Sequence, residues 1–208
     1  MPPNRTSGPV SDHWVRPVAL EGERVRLEPL AERHLTDLAI VGLDPLIWRW
    51  TTARPTDEGG LRRWLEAALA AAETGAELPF ATIDRATGRA IGSTRFLTIV
   101  PEHRRLEIGW TWVGRDFQRT GTNREAKLLQ LIHAFEDLGA NRVEFKTDSR
   151  NEASRAALLG IGATFEGIFR DHMVMPEGPL RHSAVYSVIR TEWPTVRALL
   201  TNGLRRAR

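Results

Sequence analysis

The chain has 208 residues, of which 41% are hydrophobic, and its 29 basic and 26 acidic residues give a formal net charge of +3. This composition predicts one globular domain, or one domain with appendages, and the lack of any apolar run near about 18 residues excludes a membrane span. The absence of cysteine excludes disulfides, thiolate metal sites and a cysteine nucleophile. Without a signal-like apolar start, we expect a cytoplasmic protein with no membrane partner.

In chain order, the first half predicts an arm, one strand, two helices and a strand meander. Residues 1–19 are Pro-rich and lack periodicity, so we expect an arm that is poorly ordered or draped over the domain. Alternating or helical spacing of apolar residues defines the other elements. The strands are predicted over 24–28, 80–84, 91–100 and 106–113, and the helices over 32–42 and 57–73. A loop rich in aromatic residues joins these two helices.

The second half predicts helices alternating with strands. A turn over 114–120 leads into a helix over about 121–138, whose apolar residues form one stripe. The remaining elements are a strand over 141–147, a helix over 151–159, a hairpin over 165–173 and 183–189, and a helix over 191–200. This order predicts a mixed α/β fold, with a domain over 20–194 and a helix end and basic tail over 195–208.

The turn before the long helix is the first candidate site. It places outward-facing backbone N–H groups at a helix start, which suits a phosphate. Neither the Walker pattern nor the Gly-x-Gly-x-x-Gly dinucleotide pattern is present, and a plain helix cap explains the turn equally well. A second helix start follows, with Asn151 at the cap and the Ser154 hydroxyl one turn in. The residues of the first turn are Gln118, Arg119, Thr120, Gly121, Thr122 and Asn123.

These segments resemble the acetyl-CoA signature of the GNAT superfamily of N-acetyltransferases, which is Gln/Arg-x-x-Gly-x-Gly/Ala. Gln118 and Gly121 match the first two fixed positions, while Asn123 stands where the family usually has a small residue. The chain is further similar to the Rim-type branch, which resembles ribosomal-protein N-terminal acetyltransferases, over residues 24–194. The segments that carry this likeness are 106–110, 125–127, 142–144, 151–154, 159–163 and 166–170.

The resemblance implies a GNAT fold, with a central, mixed but mostly antiparallel sheet that is flanked by helices and splayed near residues 110–113. It implies that the backbone N–H groups of residues 118–123 hold the pyrophosphate of acetyl-CoA, helped by the helix dipole. The main chain of Val113 would pair with the pantetheine arm as an added strand does, and Asn151 would hydrogen-bond the coenzyme from the other side. The implied activity is acetyl-CoA-dependent N-acetylation by direct attack.

Glu107 is the candidate general base. Strand alternation puts it on one face with Gly109 and Thr111, and puts Leu106, Ile108 and Trp110 on the other. A carboxylate amid apolar neighbours can have a raised pKa and deprotonate an amine through a water molecule, although a surface glutamate on an amphipathic strand would look the same.

Ser154 is the candidate proton donor to the leaving thiolate. A hydroxyl is a weak acid, so its position beside the sulfur would have to supply the effect, and a serine in the first helical turn is also common. Many GNAT relatives use a tyrosine for this step. Tyr186 is the single tyrosine of the chain and is the second choice.

Trp48, Arg49 and Trp50 are expected to line the acceptor pocket, or else to staple the first two helices together. The late hairpin near 174–182 would form the other wall. The acceptor itself stays open between a protein N-terminus, a small amine and an antibiotic amine. No histidine spacing fits a metal, so no metal cofactor is expected.

Two other functions remain open. The first is a GNAT-fold sensor that binds acyl-CoA without catalysis. The second is a basic nucleic-acid-binding module, which ranks low because the arginines are dispersed and no nucleic-acid partner is expected. A homodimer through the late strands is compatible with the pattern.

Overall fold

The computed structural model describes residues 14–206, and this part of the chain forms eight strands and six α-helices. The strands are β1 (Leu20–Glu21), β2 (Val25–Pro29), β3 (Leu78–Asp84), β4 (Ala90–Val100), β5 (Arg105–Val113), β6 (Arg142–Asp148), β7 (Thr164–Val174) and β8 (Leu180–Ile189). The helices are α1 (Leu35–Gly42), α2 (Pro45–Trp48), α3 (Glu58–Glu73), α4 (Thr122–Ile132), α5 (Glu152–Gly160) and α6 (Trp193–Arg206). The mixed α/β order confirms the predicted class.

One sheet contains all eight strands, in the order β1-β2-β3-β4-β5-β6-β8-β7. Every neighbouring pair is antiparallel except β5 and β6, so the sheet is mixed and mostly antiparallel, as predicted. The parallel pair requires a crossover, which α4 supplies. Because parallel strands end at the same edge of a sheet, the starts of α4 and α5 lie at one edge.

Both faces of the sheet carry a hydrophobic core. On one face, Ala126 and Leu131 of α4 pack in one cluster with Leu106 and Phe145 of the sheet. On the other face, α1 and α3 cover a cluster that includes Trp112 of β5. The helices on this second face leave the β6–β8–β7 part of the sheet uncovered, and the candidate acceptor cleft lies there.

The ends of the chain depart from the predicted boundaries. Residues 1–13 of the predicted arm lie outside the described residues. Trp14 and Val15 pack onto the domain, and the Trp14 indole N–H donates to the Leu138 carbonyl at 3.0 Å. At the other end, α6 continues six residues beyond the predicted limit and takes in most of the segment expected to be a basic tail.

The sheet splays between β5 and β6. Their pairing spans only Arg105–Arg142 to Glu107–Glu144, and β6 then pairs with β8 alone as far as Asp148. The edge of β5 that faces β6 therefore has no strand partner from residue 108 onward within the described part of the chain. The splay lies where the GNAT resemblance implies and begins directly after Glu107.

A β-bulge interrupts β5 beyond the splay point. Ser93 pairs with Trp112 and Arg95 with Gly109, so two residues of β5 oppose one of β4. Trp110 is one of these two and has a φ of 49°. The extra residue reverses the alternation beyond it, so the predicted faces of Trp110 and Thr111 are wrong. Trp110 packs against the core cluster that α1 and α3 cover and that includes Trp112. The Thr111 side chain points to the opposite face, towards α4.

Candidate functional site

The turn before α4 presents a row of backbone N–H groups. Arg119 and Gly121 have φ values of 62° and 92°, and Gly121 is the N-cap residue. The first helical bond runs from the Glu125 N–H to the Gly121 carbonyl at 2.9 Å. In the part of the chain that the structure describes, no group accepts from the N–H groups of residues 119–124. Such a row at a helix start is a site for an anion such as a phosphate.

Local bonds fix the shape of this turn. The Gln118 side chain donates to the carbonyl of Val113 at 3.3 Å, which ties the turn to the end of β5. The Thr120 hydroxyl lies 2.7 Å from the carbonyl of Phe117 and 2.8 Å from the hydroxyl of Thr122. These side chains of the signature therefore support the turn, while its backbone N–H groups face outward.

Glu125 binds the start of β2 to the first turn of α4. Its buried carboxylate accepts the backbone N–H groups of Glu23, Arg24 and Val25 at 2.7 to 3.0 Å. The Arg24 side chain then reaches the Thr120 carbonyl at 3.4 Å, beside the candidate anion site. Sequence reasoning missed this arrangement, because the partner strand lies about a hundred residues away in the chain.

Asn123 carries a buried polar atom without a partner. Its Oδ1 accepts no hydrogen bond from any residue that the structure describes. An acceptor without a donor is unfavourable, but this atom is closed to solvent and no ligand can reach it in this conformation. The row of unpartnered N–H groups is therefore the feature of this turn that suits a phosphate.

Asn151 is the N-cap residue of α5, as the sequence predicts. Its side-chain oxygen accepts the Ser154 backbone N–H at 3.1 Å, while its amide NH₂ is not part of this bond. Ser154 is half-buried in the first turn. Since α5 begins directly after β6, both residues lie at the edge of the sheet where the turn before α4 also lies.

Tyr186 is placed in the core, unlike Ser154. The ring is fully buried on β8, and the hydroxyl accepts from Arg155 Nε at 3.1 Å. A side chain enclosed in this way is poorly placed to reach a leaving group. Ser154 therefore remains the candidate for the proton donor.

Glu107 lies at the apex of the splay, as the last residue of β5 that pairs with β6. It is 6% exposed, and its Oε2 accepts from Lys146 Nζ at 2.8 Å and from the Thr98 hydroxyl at 3.2 Å. The expected apolar environment is wrong, because a lysine from the neighbouring strand pairs with the carboxylate. The open cleft beside it is lined by Thr98 and Lys146 among others.

The structure separates the three residues predicted to line the acceptor pocket. Trp48 is 1% exposed, donates to the Gly42 carbonyl at 2.6 Å, and lies 5.2 to 5.6 Å from the rings of Trp64 and Trp112. Its prediction as a pocket residue is therefore wrong, and it joins the helices, as the staple alternative proposed. Arg49 is exposed and stacks on Trp50 at 4.8 Å.

Trp50 is the one of the three that contacts the late hairpin and the segment after β6. Arg150 stacks on its ring at 5.3 Å, and its carbonyl accepts from Arg181 Nη1 at 3.2 Å. A second contact between the loop and the late hairpin joins Arg54 to Glu177 at 3.4 Å. These contacts bring together the two segments that the sequence predicted as walls of the acceptor pocket.

Lys127 is a buried polar residue that sequence reasoning did not assign to a place. It is 4% exposed on α4, and its Nζ donates to Thr111 at 2.7 Å, to Thr94 at 3.3 Å and to Gln130 at 3.4 Å. Thr111 belongs to the bulge of β5, and Thr94 lies opposite the bulge on β4. The Lys127 amine therefore stabilises the bulge on the face of the sheet that α4 covers. Burial lowers the pKa of Lys127 to about 7.

Within residues 14–206, no group of three or more acidic, histidine or cysteine side chains is placed to hold a metal ion. The same residues contain no helix long and apolar enough to cross a membrane.

Comparison with known proteins gives one consistent family. The family model for the acetyltransferase (GNAT) domain matches residues 24–164. YdaF of Bacillus subtilis, named as a candidate ribosomal N-acetyltransferase, is 35% identical over 92 residues, which are 44% of this chain and 49% of that protein. This chain thus spans about half the length of the curated relatives that it matches.

Solved structures agree over nearly the whole chain. A GCN5-related N-acetyltransferase from Brucella melitensis has a TM-score of 0.86 at 31% identity, covering 92% of this chain and 87% of that one. Mycobacterium smegmatis RimJ, in complex with CoA-disulfide, has a TM-score of 0.78 at 20% identity over 90% of this chain and 95% of that one, and shares the fold. The chain belongs to the GNAT acetyltransferase family.

Proposed function

We propose that the protein is an N-acetyltransferase that uses acetyl-CoA and acts on a primary amine. The observation that carries this proposal is the row of unpartnered N–H groups at the start of α4, next to the open edge of β5. A phosphate site alone would suit many ligands. The adjacent strand edge adds a place for an extended chain with amide groups, and the pantetheine arm of coenzyme A is such a chain.

The coenzyme would lie along the splay. Its pyrophosphate would bind the N–H groups of residues 119–124, where the helix dipole also favours negative charge. Its pantetheine arm would run between β5 and β6, within reach of the Val113 main chain and of the Asn151 amide.

The proposed reaction transfers an acetyl group directly from sulfur to nitrogen. The neutral amine attacks the thioester carbonyl carbon, the C–N bond forms, and the C–S bond breaks to release a thiolate. The proton lost by the amine would pass through water to the Glu107 carboxylate. The Ser154 hydroxyl would donate a proton to the thiolate and take one back from solvent water. An α-amine, with a pKa of about 8, needs this base less than a lysine, with a pKa of about 10.4.

For the acceptor, we propose a protein N-terminus or a small amine. The likeness to the Rim-type branch and to YdaF supports an N-terminal α-amine. The cleft beside Glu107, which Thr98, Lys146 and Phe169 line among others, is open to solvent, so a chain end could enter it. The alternative of a non-catalytic sensor is separated from this proposal by the assay below.

We also propose that the protein forms a homodimer through β7. This strand is at the edge of the sheet and pairs with β8 alone among the described strands. It exposes Ile168, Phe169 and Val174 by 46 to 67%. Exposed apolar edge strands are a known route to self-pairing, and a two-fold axis would cover both copies at once.

Release of thiol from acetyl-CoA, measured against a panel of peptides and amines, tests the activity. We expect acetylated amine by mass spectrometry and a fall of about 100-fold or more in kcat/KM for Glu107→Gln, with the Kd for CoA unchanged. Ser154→Ala is expected to lower kcat only several-fold, since a thiolate with a pKa near 8.5 leaves readily. Glu102→Gln, an exposed acid in the turn after β4, is the control.

Three results would count against these assignments. Full turnover by both Glu107→Gln and Ser154→Ala would remove these residues from the mechanism. Binding of CoA without turnover on any amine would leave the sensor. Failure to bind CoA at all would reject the proposed coenzyme site.

A further inference from the structure

The uncovered face of the sheet carries a group of polar side chains next to Glu107. Register places Lys146 opposite Val185 and Asp148 opposite Ser183, so the side chains at these positions share a face. Arg181 lies two residues before Ser183 on β8 and so shares this face. It also lies close enough to interact electrostatically with Glu107 and Asp148.

Two of the three cations in this group have a carboxylate partner. Lys146 pairs with Glu107 at 2.8 Å, and Arg150 pairs with Asp148 at 2.7 Å. Arg181 has no carboxylate within salt-bridge distance among residues 14–206. Arg181 therefore has no salt-bridge partner of its own, and only the more distant charges of Asp148 and Glu107 act on it.

Arg181 is nearly buried, at 8% exposed. Its Nε donates to the Ser183 hydroxyl at 3.1 Å and its Nη1 to the Trp50 carbonyl at 3.2 Å. Its Nη2 has no acceptor in the described chain and is not among the atoms sealed from solvent. A guanidinium held by neutral acceptors, with one amine that has no acceptor and is not closed to solvent, can bind an anion.

A neutral donor flanks this guanidinium. Since the Ser183 oxygen accepts from Arg181 Nε, its own hydrogen is free for His172 Nδ1, which lies 3.0 Å away. That bond leaves the N–H on His172 Nε2 and favours the neutral ring. Desolvation and the nearby cations Lys146 and Arg181 lower the pKa of His172, which agrees with a neutral ring.

Burying a cation without a carboxylate in direct contact is unfavourable, and arginine does not lose its proton readily. The cost falls when a ligand supplies the missing negative charge in the same place. The adjacent ion pair of Glu107 marks where the amine would react. An acetyl acceptor with an anionic group a few bonds from its amine could place the amine near Glu107 and the anion at Arg181.

We propose that Arg181 binds a carboxylate of the acceptor, so that the enzyme selects amines that also carry an anionic group. This inference rests on the proposed N-acetyltransferase activity and specifies its substrate class. It distinguishes acidic acceptors, such as peptides with an aspartate or glutamate near the N-terminus or free amino acids, from neutral and basic amines. Arg181 is then a specificity-determining residue.

Matched acceptors test the inference. Tetrapeptide amides with Asp at position two or three are compared with the same peptides carrying Asn, and amino acids with their carboxamides. For at least one pair, we expect the wild-type kcat/KM to be about 10- to 100-fold higher for the acidic member, as for hydrogen bonds to charged groups. Arg181→Gln should bring that ratio close to one.

Controls separate specificity from folding and from coenzyme binding. Arg181→Lys keeps the charge and should retain part of the preference, whereas Arg170→Gln, which removes an exposed arginine of β7, should retain all of it. The Kd for CoA should be unchanged in Arg181→Gln. A thermal melt checks that each variant is folded.

The outcomes are distinct. Equal rates with acidic and neutral members in the wild type would overturn the inference while the acetyltransferase proposal stands. A preference that survives in folded Arg181→Gln would also overturn it, as would a loss of CoA affinity in that variant that matches the loss of rate. If no amine of any kind is acetylated, the proposed function itself fails.

Discussion

At the scale of single residues, the buried amine of Lys127 gives the clearest prediction. Burial lowers its pKa from 10.5 to about 7 in the folded protein. Between these values the unfolded chain holds a proton that the folded chain has lost, so raising the pH stabilises the fold by up to about 1.4 kcal/mol per pH unit. Below about pH 7 the Lys127 amine is protonated in both the folded and the unfolded chain, and its buried charge then destabilises the fold most.

Urea unfolding of the wild type and of Lys127→Met, at several pH values from 6 to 9.5, measures this effect. We expect the methionine variant to be the more stable at low pH, and its advantage to shrink as the pH rises above about 7. Leu131→Met on the same helix should change the stability by a similar amount at every pH. A pH-independent difference for Lys127→Met would mean that the amine keeps its charge in the fold.

At the scale of elements, the turn before α4 depends on the left-handed backbone of Gly121. A Cβ there would meet nothing closer than 3.5 Å, so Gly121→Ala acts through its φ of 92° alone. We expect a loss of about 1 kcal/mol in stability and a rise of fivefold or more in the Kd for CoA, because the strain moves the N–H row. Calorimetry with CoA measures the second quantity.

Gly88 provides the matched control for this turn. It has a φ of 71° and open space around it, and it lies in the turn between β3 and β4. Gly88→Ala should lose a similar amount of stability and keep the affinity for CoA. An equal loss of affinity in both variants would show that general destabilisation, and not the shape of the turn, controls coenzyme binding.

The elements also show what the sequence could predict. Apolar periodicity located every strand of five or more residues, and the signature turn was found because its glycine and polar residues are local. The bulge at Trp110 was not predicted, since it arises from the register between β4 and β5 and leaves no local pattern. The pairing of Glu107 with Lys146 was missed for the same reason, because the two residues are 39 positions apart.

The candidate acceptor site was the least predictable part. Trp48 and Trp50 are two positions apart in one aromatic segment, yet Trp48 is in the core and Trp50 contacts the late hairpin. Trp48 is the last residue of the short helix α2 and Trp50 follows it in the loop, and a helix of this length is too short for periodicity to detect. In the sequence, Arg181 is only a charged residue next to a predicted strand. Its role in the site could be inferred only from the strand register, which places it near Asp148 and Ser183.

At the scale of the whole molecule, the exposed edge of the sheet determines the assembly that we propose. Ile168 is 46% exposed on β7, and a charge there would have to be buried between two copies. We expect the wild type to sediment as a dimer at micromolar concentration and Ile168→Lys as a monomer, because an unpaired buried charge opposes association. Leu159→Lys, at a residue of α5 that is 55% exposed, should leave the dimer intact. A monomeric wild type at about 100 µM, or a dimer that Ile168→Lys does not weaken, would exclude β7 as the interface.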